Sequence, residues 1–245
     1  MILETVATAA CTSAGLLAYA VRGRSSTLFA PSIYRGPRTR AVLALTFDDG
    51  PCESTPELLD ILYQYGVPAT FFQCGANVRR LPDVSREVLA AGHEIGNHTE
   101  NHAPLYLRTP GFIYSELAAA QDSIADATGM RPRYFRPPYG ARWFGLRQAQ
   151  KKLGLEGILW TCLGLDWRLP TERIVSRMTS NLYSGSILCL HDGRLTQPRP
   201  NVRPMIEAVR QILPEALERG FEFATISQLL CPNQPLPQPP NASSL

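Results

Sequence analysis

Apolar and polar positions along the chain follow two spacings in turn, one typical of strands and one typical of helices. The clearest unit is the apolar run at residues 41–47, which predicts a buried strand, followed by Leu58, Leu59, Ile61 and Leu62 at helical spacing. Further strands are predicted at residues 69–73, 94–97, 133–135, 156–163, 186–190 and 221–225. Helices are predicted at residues 83–91, 111–128, 144–153, 171–182 and 202–219, besides the one that ends at Gly66.

Two of these helices begin with residues suited to capping. Ser54-Thr-Pro-Glu57 has the pattern of a capping box, and Thr109 precedes the helix predicted at residues 111–128. Both patterns predict that a side-chain hydroxyl accepts a hydrogen bond from a backbone N–H in the first helical turn.

Strands that alternate with helices predict a parallel sheet, and about seven such units either close into a barrel or form an open doubly wound sheet. Polar clusters follow five of the strands: Asp48-Asp49, Asn97-His98, Arg136 to Gly140, Asp166-Trp167 and His191-Asp192. In a flat sheet with ~4.8 Å between strands, the clusters after the first and sixth strands could hardly meet. We therefore favour an irregular, TIM-like (β/α) barrel of seven to eight parallel strands, with these clusters at one mouth.

The overall composition is that of a globular protein. The chain has 245 residues, of which 44% are apolar and 18% charged, and this predicts one domain with a large core. The net charge of +3 is too small to indicate nucleic acid as a partner. The proline-rich tail at residues 231–245 is expected to be disordered.

The amino-terminal region differs from the rest of the chain. Residues 5–21 carry no charge and approach the ~17-residue lower limit for a membrane span. A cleaved secretory signal is the alternative, but it would begin with basic residues, and the only charge before the apolar run is Glu4. We therefore favour residues 1–21 as a membrane anchor and residues 22–40, which hold five arginines, as a basic linker. By the positive-inside rule those arginines would keep the main domain cytoplasmic, so the orientation stays open.

The six cysteines show no C-x-x-C spacing of the kind that zinc ribbons or redox sites use. We expect buried free thiols. Cys162 and Cys189 lie in predicted strands that could be neighbours, and a disulfide between them is left open.

Two motifs about 50 residues apart offer metal ligands. Thr46 to Pro51 reads Thr-Phe-Asp-Asp-Gly-Pro, and residues 98–102 read His-Thr-Glu-Asn-His. A divalent metal held by Asp49, His98 and His102 would have three protein ligands, which is typical of an open catalytic site. Such an ion lowers the pKa of a bound water from ~15.7 toward ~7. Asp48 would then act as general base, with Arg136 keeping it ionised.

The remaining clusters supply the other roles. His191 would protonate the leaving group, with Asp166 orienting and charging its imidazole. The backbone N–H of Tyr139 would help to hold an oxyanion, and Trp167 and Leu190 would wall a small apolar pocket. Each motif alone has an ordinary structural explanation, and the prediction rests on their coincidence at the strand ends. The remaining histidine, His93, precedes its strand and is expected to be structural.

With these motifs in order, the chain resembles the polysaccharide deacetylases of the NodB-homology type, carbohydrate esterase family 4. The resemblance covers residues 41–226 and includes Arg136-Pro-Pro-Tyr-Gly140, Asp166-Trp167 and Leu190-His-Asp192. It implies a deacetylase domain at residues 41–230, zinc or sometimes cobalt as the metal, and extracytoplasmic action. It implies Asp48 as base, His191 as acid, and Arg136 and Asp166 as the residues that tune them. The family often has Asp-x-x-Asp-Trp at the fourth motif, whereas this chain has Leu163 at the first of these positions.

The reaction implied is removal of acetyl groups from N-acetylglucosamine units of a peptidoglycan-like or chitin-like glycan, so the expected partner is an acetylated amino-sugar polysaccharide. A second hypothesis keeps the same groups but removes O-acetyl groups from xylan or another glycan. A third is a non-catalytic glycan-binding protein on the same fold, because a barrel does not imply its activity.

Overall fold

Nine parallel strands form one curled sheet in the computed structural model, which describes the backbone of residues 2–231 and the side chains of residues 12–231. The strands are β1 Ser32–Ile33, β2 Val42–Asp48, β3 Thr70–Gln73, β4 Glu94–Asn97, β5 Tyr134–Phe135, β6 Glu156–Ile158, β7 Cys162–Leu163, β8 Ile187–His191 and β9 Glu222–Phe223. The helices are α1 Ile2–Arg22, α2 Thr55–Gln64, α3 Gly75–Arg80, α4 Pro82–Ala90, α5 Pro110–Thr128, α6 Leu146–Leu153, α7 Thr171–Thr179, α8 Arg203–Glu218 and α9 Ile226–Leu230. A 3-10 turn covers Pro138–Gly140. The predicted α/β class is confirmed.

The sheet cannot be flat, because its order is β1-β6-β5-β4-β3-β2-β8-β7, with β9 paired to β2. Between β6 and β7 lie six strand spacings of ~4.8 Å, roughly 29 Å in a flat sheet. Only three residues join the two strands along the chain, and four Cα steps of ~3.8 Å reach at most roughly 15 Å. The sheet therefore curls back on itself, as expected for an irregular (β/α) barrel.

The strand predicted at residues 156–163 is split by this curl. Its first half, β6, pairs with β1 and β5, and its second half, β7, pairs with β8. The continuous apolar pattern did not reveal the break, because both halves are largely buried.

Strand β2 shows how the two faces of the sheet differ. Its odd-numbered residues Leu43, Leu45 and Phe47 belong to the largest core cluster, together with apolar residues of α2, α7 and α8. Its other face reads Val42, Ala44, Thr46 and Asp48, and its first two residues pack with side chains from β3, β5, β6 and β8. Side chains from β3, β5, β6 and β8 can meet only on the concave side of the curled sheet, so this face of β2 lines the interior. The face is apolar at the start of β2 and polar at its carboxyl end.

The segment before β2, which was predicted to be a basic linker, packs against the barrel as part of the folded domain. Strand β1 pairs with β6, and Phe29 and Ala30 are buried. The buried Arg142 donates from its backbone N–H to the Val21 carbonyl at 3.0 Å and from its guanidinium to the Ser26 carbonyl at 2.7 Å. The C-terminal end of α1 is thereby held against the barrel.

Residues 5–21, the predicted membrane anchor, lie within α1. Among the described residues no helix combines the length and the apolarity that crossing a bilayer requires, so this anchor is not supported. The proline-rich tail lies, apart from Cys231, outside the described residues.

Helix boundaries differ from the prediction mostly by a few residues. The helix predicted to reach residue 182 ends at Thr179, and the helices α3 and α9 are five or six residues long, too short to show a helical period. Thr109 caps α5 as predicted, by accepting from the Phe112 N–H. The capping box predicted at Ser54 is wrong: Ser54 makes no side-chain cap bond, and the neighbouring Thr55 hydroxyl donates to Asp192 instead.

Five cysteines with described side chains are free thiols, four of them buried. Cys162 and Cys189 do lie on neighbouring strands, but the register pairs Cys162 with Leu188 and Leu163 with Cys189. An offset of one residue sends the two side chains to opposite faces of the sheet. Cys189 therefore projects to the same face as Asp48, and Cys162 to the opposite face.

Candidate active site

Asp49, His98 and His102 converge at the mouth of the curled sheet. Asp49 follows β2, His98 follows β4, and His102 lies on the loop beyond it. The Nε2 atoms of His98 and His102 lie 3.2 and 3.1 Å from Asp49 Oδ1, and all three side chains are buried. The structure thus brings together the three residues predicted as metal ligands.

The backbone at this cluster adopts conformations that non-glycine residues rarely take. Asp49, Thr99 and His102 have φ values of 71°, 66° and 53°. Left-handed backbone at such residues costs roughly 1–2 kcal/mol each, and it persists where surrounding contacts hold it. One such contact is the Asn77 side-chain amide, which donates to the Asp49 carbonyl at 2.7 Å.

The cluster fits a divalent cation. On a tetrahedral ion with bonds of ~2.0–2.1 Å, two ligand atoms lie ~3.3 Å apart, close to the separations here. Asp49 Oδ1 is buried without a hydrogen-bond partner, and Asp49 Oδ2 accepts from the Leu195 N–H at 2.8 Å. His98 Nδ1 lies 2.7 Å from the Arg136 carbonyl, which turns Nε2 toward the cluster, as in metal-binding histidines.

Asp49 is in the charged form that a ligand requires. Burial alone would raise its pKa, but the adjacent imidazoles of His102 and His98 lower the pKa well below the usual value. A set of two imidazoles and one carboxylate suits zinc and other divalent transition metals.

Asp48 forms a fully buried ion pair with Arg136. The Arg136 Nη1 atom donates to Asp48 Oδ1 at 2.6 Å and to the Thr46 hydroxyl at 2.7 Å. The guanidinium also lies 4.1 Å from the centre of the Phe72 ring. The second oxygen of Asp48, Oδ2, accepts from the Cys189 thiol at 3.3 Å. The guanidinium and the carboxylate thus compensate each other's charge in the buried interior.

His191 and Asp166 form a second pair across the mouth. Asp166 Oδ1 lies 3.0 Å from His191 Nδ1, and Asp166 Oδ2 accepts the His191 backbone N–H at 3.0 Å. Burial would lower the pKa of His191, but Asp166 outweighs it and the pKa is raised to about 9. Because Asp166 makes both contacts, the carboxylate missing at Leu163 is not needed to orient this imidazole.

These groups surround a pocket of about 390 Å³. Its lining includes Tyr139 and Trp167, whose rings stand edge-on to His102 and His191 with centroids 4.9 Å apart in both cases. Leu190, predicted as a second wall, is fully buried in the largest core cluster and does not line the pocket. The apolar wall is formed by Leu163 and Trp160 instead, because Leu190 pairs with Phe47 and projects to the outer face of the sheet.

Several residues of this site were not predicted from the sequence. Arg22 at the end of α1 and Arg194 after β8 line the pocket, and Leu195 donates to Asp49. The loop after β8 approaches Asp49 so closely that a Cβ at Gly193 would lie 2.3 Å from its carbonyl oxygen. A glycine after Leu-His-Asp was the only local signal of this approach.

His93, expected to be structural, lies away from the pocket at the start of β4. Its Nδ1 accepts from the Ala69 N–H at 3.2 Å, and burial lowers its pKa to about 4. The ring is therefore neutral and belongs to the packing around β3.

Comparison with known proteins relates this chain to polysaccharide deacetylases. A family model described as polysaccharide deacetylase matches residues 35–158, which include the Asp49 cluster, Asp48 and Arg136 but end before Asp166 and His191. A chitooligosaccharide deacetylase from Bradyrhizobium is 36% identical over 200 residues, covering 78% of this chain and 91% of the relative. A peptidoglycan-N-acetylglucosamine deacetylase from Bacillus cereus is 37% identical over 204 residues, covering 79% of this chain and 90% of the relative.

Solved structures agree with these relatives. A peptidoglycan N-acetylglucosamine deacetylase in complex with an N-oxidanyl-benzamide superposes with a TM-score of 0.76 at 29% identity, covering 81% of this chain and 92% of that one. A carbohydrate esterase family 4 pseudoenzyme from Bacillus anthracis superposes with a TM-score of 0.74 at 25% identity, covering 81% and 68%.

Proposed function

The chain belongs to the polysaccharide deacetylase family, and from that membership we propose that it is a metal-dependent hydrolase removing N-acetyl groups from N-acetylglucosamine units of a polysaccharide. The observation that carries this proposal is the buried cluster of Asp49, His98 and His102, with Asp48 immediately before Asp49 in the chain. The domain that acts is assigned to residues 41–230, supported on one side by β1. Peptidoglycan deacetylases among the relatives favour extracytoplasmic action.

In this mechanism the chain's own residues move the protons. A divalent cation, with zinc favoured and cobalt an alternative, would be held by Asp49, His98 and His102 and would supply Lewis acidity that activates water. Asp48 takes the proton of the attacking water, and Arg136 pairs with its carboxylate and holds it in place. The backbone N–H of Tyr139 is proposed to stabilise the oxyanion.

His191 completes the reaction by protonating the departing amine nitrogen. An amine is a poor leaving group, so cleavage of an amide demands an acid that is still protonated at neutral pH. A pKa of about 9 meets that requirement, because Asp166 stabilises the imidazolium. Trp167 packs against the ring and limits its rotation.

The Asp166→Asn variant is expected to lose activity at a lower pH than the wild type. As an acid His191 works only below its pKa, so activity falls as pH rises through that value. Removing the carboxylate charge leaves burial as the dominant influence and lowers the pKa of His191. The pH profile of kcat/KM measures this shift of the basic limb, and Asp122→Asn, which alters an exposed ion pair with Arg131, serves as the control.

The proposed reaction is tested by mass spectrometry of glycans incubated with purified, metal-loaded protein. Loss of acetyl groups from chitin oligomers or from peptidoglycan fragments supports N-deacetylation. Release of acetate only from acetylated xylan would instead establish the O-acetyl esterase. A family pseudoenzyme shares this fold, so the absence of acetate release from every substrate would favour a non-catalytic glycan-binding protein.

Among amino-sugar polymers we propose an acidic, peptidoglycan-like glycan over neutral chitin. Arg22 and Arg194 both line the pocket, and among the described residues neither forms an ion pair with a carboxylate. Arg194 instead donates to the Trp167 carbonyl at 2.8 Å, which leaves its positive charge uncompensated. Peptidoglycan carries carboxylates that chitin lacks, on its stem peptides or, where the peptide has been removed, on the lactyl group of muramic acid. Guanidinium groups pair well with carboxylates.

The Arg22→Gln variant is expected to raise KM for peptidoglycan fragments by about two- to fivefold, the range of an exposed ion pair, without changing KM for chitin oligomers. Steady-state kinetics on both substrates provide the measurement. Arg131→Gln, at an exposed position remote from the pocket lining, is the matched control. An equal rise on both substrates would contradict the proposed pairing with a carboxylate.

A further inference from the structure

A second group of metal-binding side chains lies on the inner face of the sheet, beside the Asp49 cluster. Asp48, Cys189 and His191 each present a ligand atom, and these atoms lie within 4.8 Å of one another. They come from neighbouring strands: β2 and β8 pair Asp48 with His191 and Thr46 with Cys189. The three side chains therefore project to the same face of the sheet.

The chemistry of this group differs from that of the Asp49 cluster. It contains a thiol, and thiolate, imidazole and carboxylate together form a donor set typical of zinc and of softer ions such as cadmium. The Cys189 thiol already points at Asp48 Oδ2, 3.3 Å away. Since Asp166 engages His191 Nδ1, the nitrogen left for a ligand is Nε2.

We propose that Asp48, Cys189 and His191 form a second, inhibitory binding site for a thiophilic divalent cation such as Cd²⁺ or excess Zn²⁺. Binding forms a metal–sulfur bond to Cys189 and a metal–nitrogen bond to His191 Nε2. It releases the thiol proton and the Nε2 proton of the imidazolium to solvent, with no change of oxidation state. A cation bound there occupies the proposed base and the proposed acid at once. Neither residue can then transfer a proton.

The second site fills only after the Asp49 cluster. A cation there must displace the proton that the Cys189 thiol donates to Asp48 Oδ2, 3.3 Å away. It must also share Asp48 with Arg136, which already donates to Oδ1 at 2.6 Å. The Asp49 cluster carries neither cost, because it contains no thiol and its Oδ1 has no hydrogen-bond partner.

The test begins with protein loaded with one equivalent of Zn²⁺, to which Cd²⁺ is added. We expect a second equivalent to bind in equilibrium dialysis, with the ultraviolet charge-transfer absorption of a cadmium–thiolate bond. In Cys189→Ala the absorption should vanish, and the Cd²⁺ concentration that halves each variant's own activity should rise at least ~10-fold. The stoichiometry and the absorption do not depend on deacetylase activity. The proposed second site and the proposed function can therefore be refuted separately.

Cys162→Ala is the matched control. Cys162 is also a buried free thiol and lies on the adjacent strand β7, but it projects to the opposite face beside Met178. This variant should behave as the wild type. A single bound equivalent in the wild type, or a thiolate absorption that survives in Cys189→Ala, would overturn the proposal. Should Cys189→Ala fail to fold, the wild-type stoichiometry and absorption decide the question alone.

Discussion

The Asp49→Asn variant is expected to lose its bound cation and to lose acetate release by more than ~10⁴-fold, because activation of water by a metal is worth up to ~12 kcal/mol. The local geometry makes asparagine a poor replacement. Asp49 Oδ2 accepts the Leu195 N–H at 2.8 Å, so the asparagine carbonyl will take that position. Its NH₂ group then points at the Nε2 atoms of His98 and His102, where the cation would sit.

Metal content measured by elemental analysis after dialysis checks the first half of this expectation, and acetate release checks the second. The fold should survive, since burial of an uncharged amide avoids the cost of burying a charge. An Asp49→Asn protein that retains one equivalent of metal would refute the assignment of Asp49 as a ligand.

The Asp48→Asn variant is expected to keep its cation but to lose ~10²–10⁴-fold in kcat, the usual contribution of a general base. Asp48 is not one of the three proposed ligands, since the two imidazoles of His98 and His102 converge on Asp49 Oδ1. An amide cannot accept the proton of the attacking water. Its carbonyl can still accept from Arg136, but its NH₂ group replaces the oxygen that faces Cys189.

Loss of stability is a competing cause of low activity in Asp48→Asn. The variant leaves the buried Arg136 without a negative partner, and breaking a buried ion pair costs ~3–5 kcal/mol. Thermal unfolding monitored beside the kinetics separates the two effects, because a folded, metal-loaded and inactive variant supports the role of base. Retained activity at the wild-type level in a folded variant would exclude that role. Asp48→Asn and Asp49→Asn also serve as controls for one another. The two substitutions are adjacent, yet only the Asp49→Asn protein is expected to lose its bound metal.

Much of the fold follows from local patterns in the sequence. Strands such as 41–47 and 94–97 and helices such as 111–128 differ from the observed elements by one residue or less at most ends, because burial imposes a spacing of two or about 3.6 residues. Short elements escaped this reasoning. Helices α3 and α9 do not complete two turns, so their apolar residues show no repeat.

The amino-terminal region shows the limit of composition as a guide. Five arginines at residues 22–40 indicate a solvated linker, yet Phe29 and Ala30 are buried there and β1 joins the sheet. The partner that orders this stretch, Arg142, is more than a hundred residues away along the chain. A contact of that range leaves no trace in local composition.

The sequence by itself determined which residues stand at the carboxyl ends of the strands, and thereby the candidate ligands, base and acid. That much is local, because a parallel strand ends where its apolar run ends. Only the tertiary structure decided which side chains meet: Asp166 with His191, Leu195 with Asp49, Cys189 with Asp48, and Arg22 with the pocket. These pairs depend on the curl of the sheet and on strand register, and both arise from packing between segments distant in the chain.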